Sequence, residues 1–298
     1  MAPAYSGEMT EPGLAAHVEV TRHVGAESFL ADAGGFLLAR EAEHNLILGL
    51  SGRLRVDPRI YGEAPYFAVA RDGGEVVAAT MRTPPHNLIL SEVDDEAALE
   101  PLAADANDIF ESLTGVVGPK AAVARMAQIW EARSGQTAHL MLRQRSYSAE
   151  QALEPEGVPG TMRPYELRDR ELVLAWMDAF VEEALPEAPP EDSAHWLDRR
   201  AADPDSGTMI WEDGEAVSMG GYGGLTPNGI RVGPIYTPPE LRRRGYATAL
   251  TAAMTRMLLE RGRRFCFLFT DLANPTSNSI YQRIGYRPVN DIDQWSFR

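Results

Sequence analysis

A layered α/β fold is what this sequence predicts, and two observations predict it. Apolar runs rich in β-branched residues alternate with stretches at helical spacing, and the elements follow the same order on both sides of a Pro/Gly/Glu-rich segment. In the first half, "YFAVARDGGEVVAAT" (66–80) is an apolar run, an Asp-Gly-Gly turn and a second run, which predicts a hairpin. In the second half, "TMIWEDGEAVSMGGY" (208–222) repeats that pattern around Asp213-Gly214. Upstream of it, Val173, Trp176, Met177, Phe180, Val181 and Ala184 fall on one face of a helix. After each hairpin come an apolar strand, a long helix and a further strand; in the first half these are "NLILS", "GPKAAVARMAQIWEARSG" and "TAHLMLRQR". The expected organisation is a tail (1–17), a first unit (18–151), a linker "ALEPEGVPGT" (152–161) and a second unit (162–298).

Composition narrows the function. The chain has 298 residues, 44% hydrophobic and 24% charged, which suits a folded protein with one or two sizeable cores. A formal charge of −15 disfavours nucleic acid and anionic membranes as partners. Cys266 is the only cysteine, so no intramolecular disulfide forms. No apolar run approaches the roughly 20 residues that span a bilayer. "MAPAYSGEMTEPG" lacks the basic-then-apolar order of a signal peptide, so a cytoplasmic location is expected. No His/Cys/Asp cluster has metal-ligand spacing, and no metal is expected.

The region 230–262 carries the strongest chemical signal. "IRVGPIYT" predicts a strand that Pro238 and Pro239 stop. Arg242, Arg243, Arg244, Gly245, Tyr246, Ala247 and Thr248 then open a helix whose apolar spacing continues to Gly262, its expected C-cap. The first N–H groups of a helix lack intrahelical partners and carry partial positive charge. Gly245 removes the Cβ that would obstruct an anion, and Ala247 keeps the first turn open. Strand, arginine-glycine turn and helix together predict a phosphate site.

These residues, Arg242, Gly245 and Ala247, fill the Arg/Gln-x-x-Gly-x-Gly/Ala signature of the GNAT superfamily of N-acetyltransferases, which the segment resembles. A second signature agrees: in "NPTSNSIYQRIGY", Asn274, Tyr281, Gly285 and Tyr286 stand in the family's register. The resemblance covers 161–298; over 18–150 it is one of layout. It implies two GNAT-like domains, each a mixed, mostly antiparallel twisted sheet flanked by helices. The first half is degenerate, because its turn "LTGVVGPKAAVAR" lacks the arginine-glycine loop; it is expected to shape the acceptor pocket or to pack against the active half.

The resemblance further implies acetyl-CoA as cofactor and acetyl transfer to a primary amine of a small molecule or peptide, by direct attack in a ternary complex. Ile235, Tyr236 and Thr237 would present backbone groups to the thioester and the pantetheine arm. Tyr281 would protonate the departing thiolate. Asn274 would hydrogen-bond the pantetheine or a water, with Asn278 one turn on. Glu182, Glu183 and Glu187 follow a helix that borders the acceptor site in the family; they are either a cation-binding group or a solvated face. His195 is a second base candidate. A synthase of the mycothiol type and a non-catalytic CoA-binding module stay as alternatives, and a homodimer stays open.

Overall fold

The structure, a computed structural model, describes residues 18–184 and 192–298, apart from the side chains of 275–277. The tail 1–17 and Glu187 lie outside the described residues. In chain order the first half forms β1 (Glu19–Arg22), α1 (Ala26–Ala39), α2 (Asn45–Val56), β2 (Tyr66–Asp72), β3 (Glu75–Arg82), β4 (Leu88–Leu90), α3 (Leu99–Ile109), β5 (Gly115–Pro119), α4 (Lys120–Ser134) and β6 (Ala138–Ala149). The second half repeats the series as β7 (Thr161–Pro164), α5 (Arg170–Ala184), α6 (Ser193–Ala202), β8 (Gly207–Asp213), β9 (Glu215–Gly223), β10 (Gly229–Tyr236), α7 (Tyr246–Glu260), β11 (Phe265–Asp271), α8 (Pro275–Arg283) and β12 (Arg287–Phe297). Both hairpins form at their glycine turns, where Gly73, Gly74 and Gly214 take positive φ.

The strands make one twelve-stranded, mostly antiparallel sheet in the order β1-β2-β3-β4-β5-β12-β6-β11-β10-β9-β8-β7. The order is symmetric about its centre: β5 mirrors β11, β4 mirrors β10, and β12 mirrors β6. Each half sends its last strand past the other. β6 pairs with β11 and β12 pairs with β5, while β6 and β12 pair antiparallel along most of their length. Across that central ladder Arg145 and Asp291 form a two-pronged ion pair at 2.6 and 3.1 Å. The segment 152–160, without helix or strand, links β6 to β7.

Two layers cover the sheet. On one face α1 and α2 pack on Phe67, Val69, Ala79 and Met81, and α5 and α6 pack on Ile210, Met219 and Tyr236. On the other face lie α3 and α4, around Trp130 and Leu102, and α7, around Leu250 and Met254. The halves are tied on the first face by buried Glu41, which precedes α2. Its carboxylate accepts from Thr226 Oγ1 (2.6 Å), Asn228 N (2.7 Å) and Asn228 Nδ2 (2.7 Å), and so closes the β9–β10 turn of the other half.

Strand order corrects one sequence-level correspondence. The helix in "GPKAAVARMAQIWEARSG" is α4, which follows β5 and therefore matches α8, not α7. The partner of α7 is α3, and the partner of the arginine-glycine loop is the acidic turn "SEVDDEAA" (91–98) between β4 and α3. There Asp95 accepts from Ala97 N at 2.9 Å, at the start of a short 3-10 helix that leads into α3. The chain's own carboxylate thus occupies the helix entrance where an anion would sit. Asp94 is held by Arg40 at 2.7 and 2.9 Å. The first half thus has an acidic turn at the position where the second half has its arginine-glycine turn.

Candidate active site

The site grows from a gap between two strands. β10 runs parallel to β11 only over Gly229–Arg231, opposite Phe265–Phe267. Beyond Arg231 it pairs on its other side alone, with β9, and that ladder shifts register between Val232 and Ile235. The β11-facing edge of Val232–Tyr236 therefore has no strand neighbour among the described residues, and an extended ligand can pair there. Ile235, Leu241, Val158 and Tyr281 each pack against one core cluster, which also holds Tyr246, Ala249 and Leu250, so the end of β10, the start of α7 and the α8 tyrosine share a core.

The turn after β10 is pinned by hydrogen bonds. Buried Ser218, on β9, donates to Tyr236 O at 2.8 Å and shares a hydrogen bond with Thr237 Oγ1 at 2.9 Å. Arg242 Nε donates to Thr237 O at 2.9 Å, and the same guanidinium pairs with both Glu183 oxygens at 2.9 and 2.7 Å. Tyr236 Oη also reaches Glu183, at 3.4 Å. Arg242 and Glu183 therefore hold each other and brace the loop, while Glu182 is exposed beside them with no ion pair among the described residues.

Past Arg242 the backbone alternates. Arg243 takes φ +64° and Gly245 φ +89°, with Arg244 between them at negative φ. Alternation of this kind turns successive N–H groups toward one concavity, a nest for an anion. Arg243 and Arg244 are exposed; Arg244 makes a long bond, 3.4 Å, to Glu240 O and also acts on the Tyr246 phenol. Gly245 is the N-cap of α7 and brings no side-chain cap, which leaves the first-turn N–H groups of Tyr246, Ala247 and Thr248 to an outside acceptor. The side chain of Tyr246 donates to Asp213 Oδ2 at 2.7 Å.

On α8 the polar residues divide. Asn278 Nδ2 donates to Asp271 O (3.0 Å) and Asn274 O (2.7 Å), and its Oδ1 accepts from Tyr147 Oη at 2.8 Å. It locks α8 against β6. Asn274 is exposed at the start of α8. Tyr281 is partly buried, its ring edge-on to Tyr286 at 6.1 Å, and burial pushes its phenol up to about 12. It remains protonated at neutral pH. His195 is exposed on α6. Sequence reasoning did not single out Ser218, Tyr147 or Val158, all of which support this site through contacts made only in the fold.

No group of His, Cys, Asp or Glu among the described residues could hold a metal ion, and no helix there is long and apolar enough to cross a membrane. No curated protein matches the chain by sequence. Residues 171–286 match the model of the Acetyltransferase (GNAT) family. Among solved structures, a Drosophila protein aligns at TM-score 0.64 and 14% identity, over 92% of this chain and 95% of its own. A GCN5-related N-acetyltransferase from Sphaerobacter thermophilus aligns at 0.59 and 17%, over 93% and 95%. A tandem GNAT protein from the clavulanic acid biosynthesis pathway aligns at 0.52 and 12%, over 94% and 98%. The gap beside β10, the uncapped glycine turn and the α8 tyrosine all lie inside the segment that is similar to the GNAT acetyltransferase family, and over 94% of its length the chain shares its fold with a tandem GNAT protein.

Proposed function

We propose that the protein is an acetyl-CoA-dependent N-acetyltransferase that acts on a primary amine of a small molecule or peptide by direct attack in a ternary complex. The observation that carries this reading is the junction of the β10–β11 gap with the uncapped start of α7: an unpaired strand edge leads straight into a nest of N–H groups. Acetyl-CoA, when bound, supplies a thioester carbon that gains the C–N bond as its C–S bond breaks. The N–H groups of Tyr246, Ala247 and Thr248 would hold the diphosphate, with Arg243 and Arg244 adding charge from outside. Backbone groups of Ile235, Tyr236 and Thr237 would hold the pantetheine and polarise the carbonyl. Tyr281 keeps its proton and would give it to the leaving sulfur. The ammonium proton of the acceptor must go to water or a base before attack. Glu183 is tied to Arg242, which favours a bracing role for it, and Glu182 is the freer carboxylate.

Purified protein with labelled acetyl-CoA and an amine panel tests the reading. Transfer to at least one amine is expected. Tyr281→Phe should lower kcat by about 100-fold or more while CoA affinity changes little, since a general acid typically contributes that much. Equal turnover by the variant would remove Tyr281 from the chemistry. Tight CoA binding with no transfer to any amine would favour the binding-module alternative.

A further inference from the structure

A cavity of about 400 Å³ lies under α2, on the same face of the sheet as α5 and α6. It crosses the centre of the sheet, from Ile89, Leu90 and Val117 of the first half to Arg231 and Phe269 of the second. Arg231 is the last residue of β10 to pair with β11, so this end of the cavity opens beside the β10–β11 gap. The wall is mainly apolar, and its only charged members are Arg231 and Glu43.

Among the described residues no carboxylate pairs with Arg231. Burial is the largest influence on it and presses it toward the neutral form; of its neighbours, Tyr61 favours the cation and Arg53 disfavours it. A second guanidinium, Arg200, donates to Gly233 O at 3.0 Å, and its Nε is buried without a partner. The one carboxylate in this group, Asp203, is bonded to Arg53 and to Ser206 Oγ. Arg53 and Arg200 stand behind the wall; with Arg231 they outnumber Asp203 and the wall's Glu43, and make a local electropositive spot inside a chain of net charge −15. Glycine makes room for it: a Cβ at Gly221 would lie 2.8 Å from Arg200 Nη2, and one at Gly224 would lie 2.7 Å from Arg231 Nη2. A planar guanidinium with no partner fits a carboxylate bidentately.

We propose that this cavity is the acceptor pocket and selects an amino carboxylate with an apolar side chain, its carboxylate held by Arg231 and its side chain lodged under α2. The inference rests on the acetyl-transfer reading for its chemistry but not for its binding. The wall holds one cation, Arg231, and one carboxylate, Glu43, which are not paired with each other and together suit a zwitterion.

The experiment uses the full-length protein and four probes: two ligands that differ only in carboxylate against amide, and two amines that differ only in the presence of the carboxylate. By titration calorimetry, 4-methylpentanoate should bind at least about 30-fold tighter than 4-methylpentanamide, the worth of one charge-assisted pair. Arg231→Gln should bring that ratio to about one, with folding checked by its melting curve. A wild-type ratio near one overturns the proposal, as does an unchanged ratio in folded Arg231→Gln; if that variant does not fold, the wild-type ratio decides alone. In turnover, leucine should exceed 3-methylbutan-1-amine by a similar factor. If the amine is acetylated as fast as leucine, the pocket assignment falls and acetyl transfer stands. If the carboxylate binds but neither compound is acetylated, the reverse holds.

Discussion

Gly245 has φ +89°, and a Cβ there would lie 2.8 Å from Val158 Cγ2, in the segment that joins the two halves. The residue is therefore constrained twice before any ligand is considered: by its left-handed backbone and by Val158. Gly245→Ala should cost about 1 kcal/mol of stability from the backbone alone, and Val158→Ala in the same chain should relieve the contact but not the backbone term. If CoA affinity, measured by calorimetry, stays low in the double variant, the turn's geometry governs binding; if it recovers, packing against the linker was the cause. Its neighbour Arg243 bears the same left-handed strain without the excuse of lacking a side chain. Strain of this kind, worth about 1–3 kcal/mol, persists where the surroundings over-determine it, and here the braces are Arg242, Glu183 and Ser218. Arg243→Gly should therefore raise the melting temperature slightly while leaving the nest intact. A lowered melting temperature would show that the arginine side chain contributes more than its backbone costs.

At the level of elements, the corner between α1 and α2 holds a histidine whose role is structural. His44 is 2% exposed, its Nε2 accepts from Glu92 N at 3.0 Å, and its Nδ1 donates to Leu37 O at 2.9 Å. Only the neutral ring makes both bonds. Burial is the main cause that holds its pKa below the usual value, with Arg40 adding to the effect and the Leu37 carbonyl, Glu43 and Asp94 opposing it. A base depressed in the folded state is protonated first in the unfolded chain. Its contribution is thus complete above the unfolded histidine value of about 6.5 and is lost as pH falls below it. The melting temperature should drop between pH 7 and 5.5, and His44→Gln should flatten that dependence; a parallel drop in both proteins would assign it elsewhere. Elements of this kind differ in how plainly the chain announces them. The hairpins and α7 are written locally, in Gly turns and helical spacing, and so is the arginine-glycine turn, because backbone φ and helix-start chemistry act within a few residues. α3 is not: Pro101 in its first turn reads as a break and the acidic "SEVDDEAA" before it reads as a loop, so the local pattern points to α4 as the counterpart of α7. The roles of Ser218, Val158 and Arg231 depend on partners far away in the chain, and no local pattern marks them.

At the scale of the molecule, the symmetric strand order makes the halves depend on each other. β5 and β11 each end a half's own sheet, and each is covered by a strand from the other half, eleven-residue β12 and twelve-residue β6 respectively. Cut at the linker, a half would expose the edge of β5 or β11 and leave its own last strand without either of its two neighbours. Exposed, unpaired edges recruit other strands. Residues 156–298 expressed alone should therefore aggregate, or form a dimer in which a second copy's β12 takes the place of β6; light scattering distinguishes these. Residues 1–152 and 156–298 expressed together should assemble one-to-one and regain CoA binding, because the central β6–β12 ladder, the Arg145–Asp291 pair and the Glu41 anchor all lie between the fragments rather than within either. A monomeric, cooperatively melting second half would show that β12 can close β11 by itself. The exchange would then be a connection between two finished domains, and the cavity under α2 would lose its claim to be a property of the whole chain.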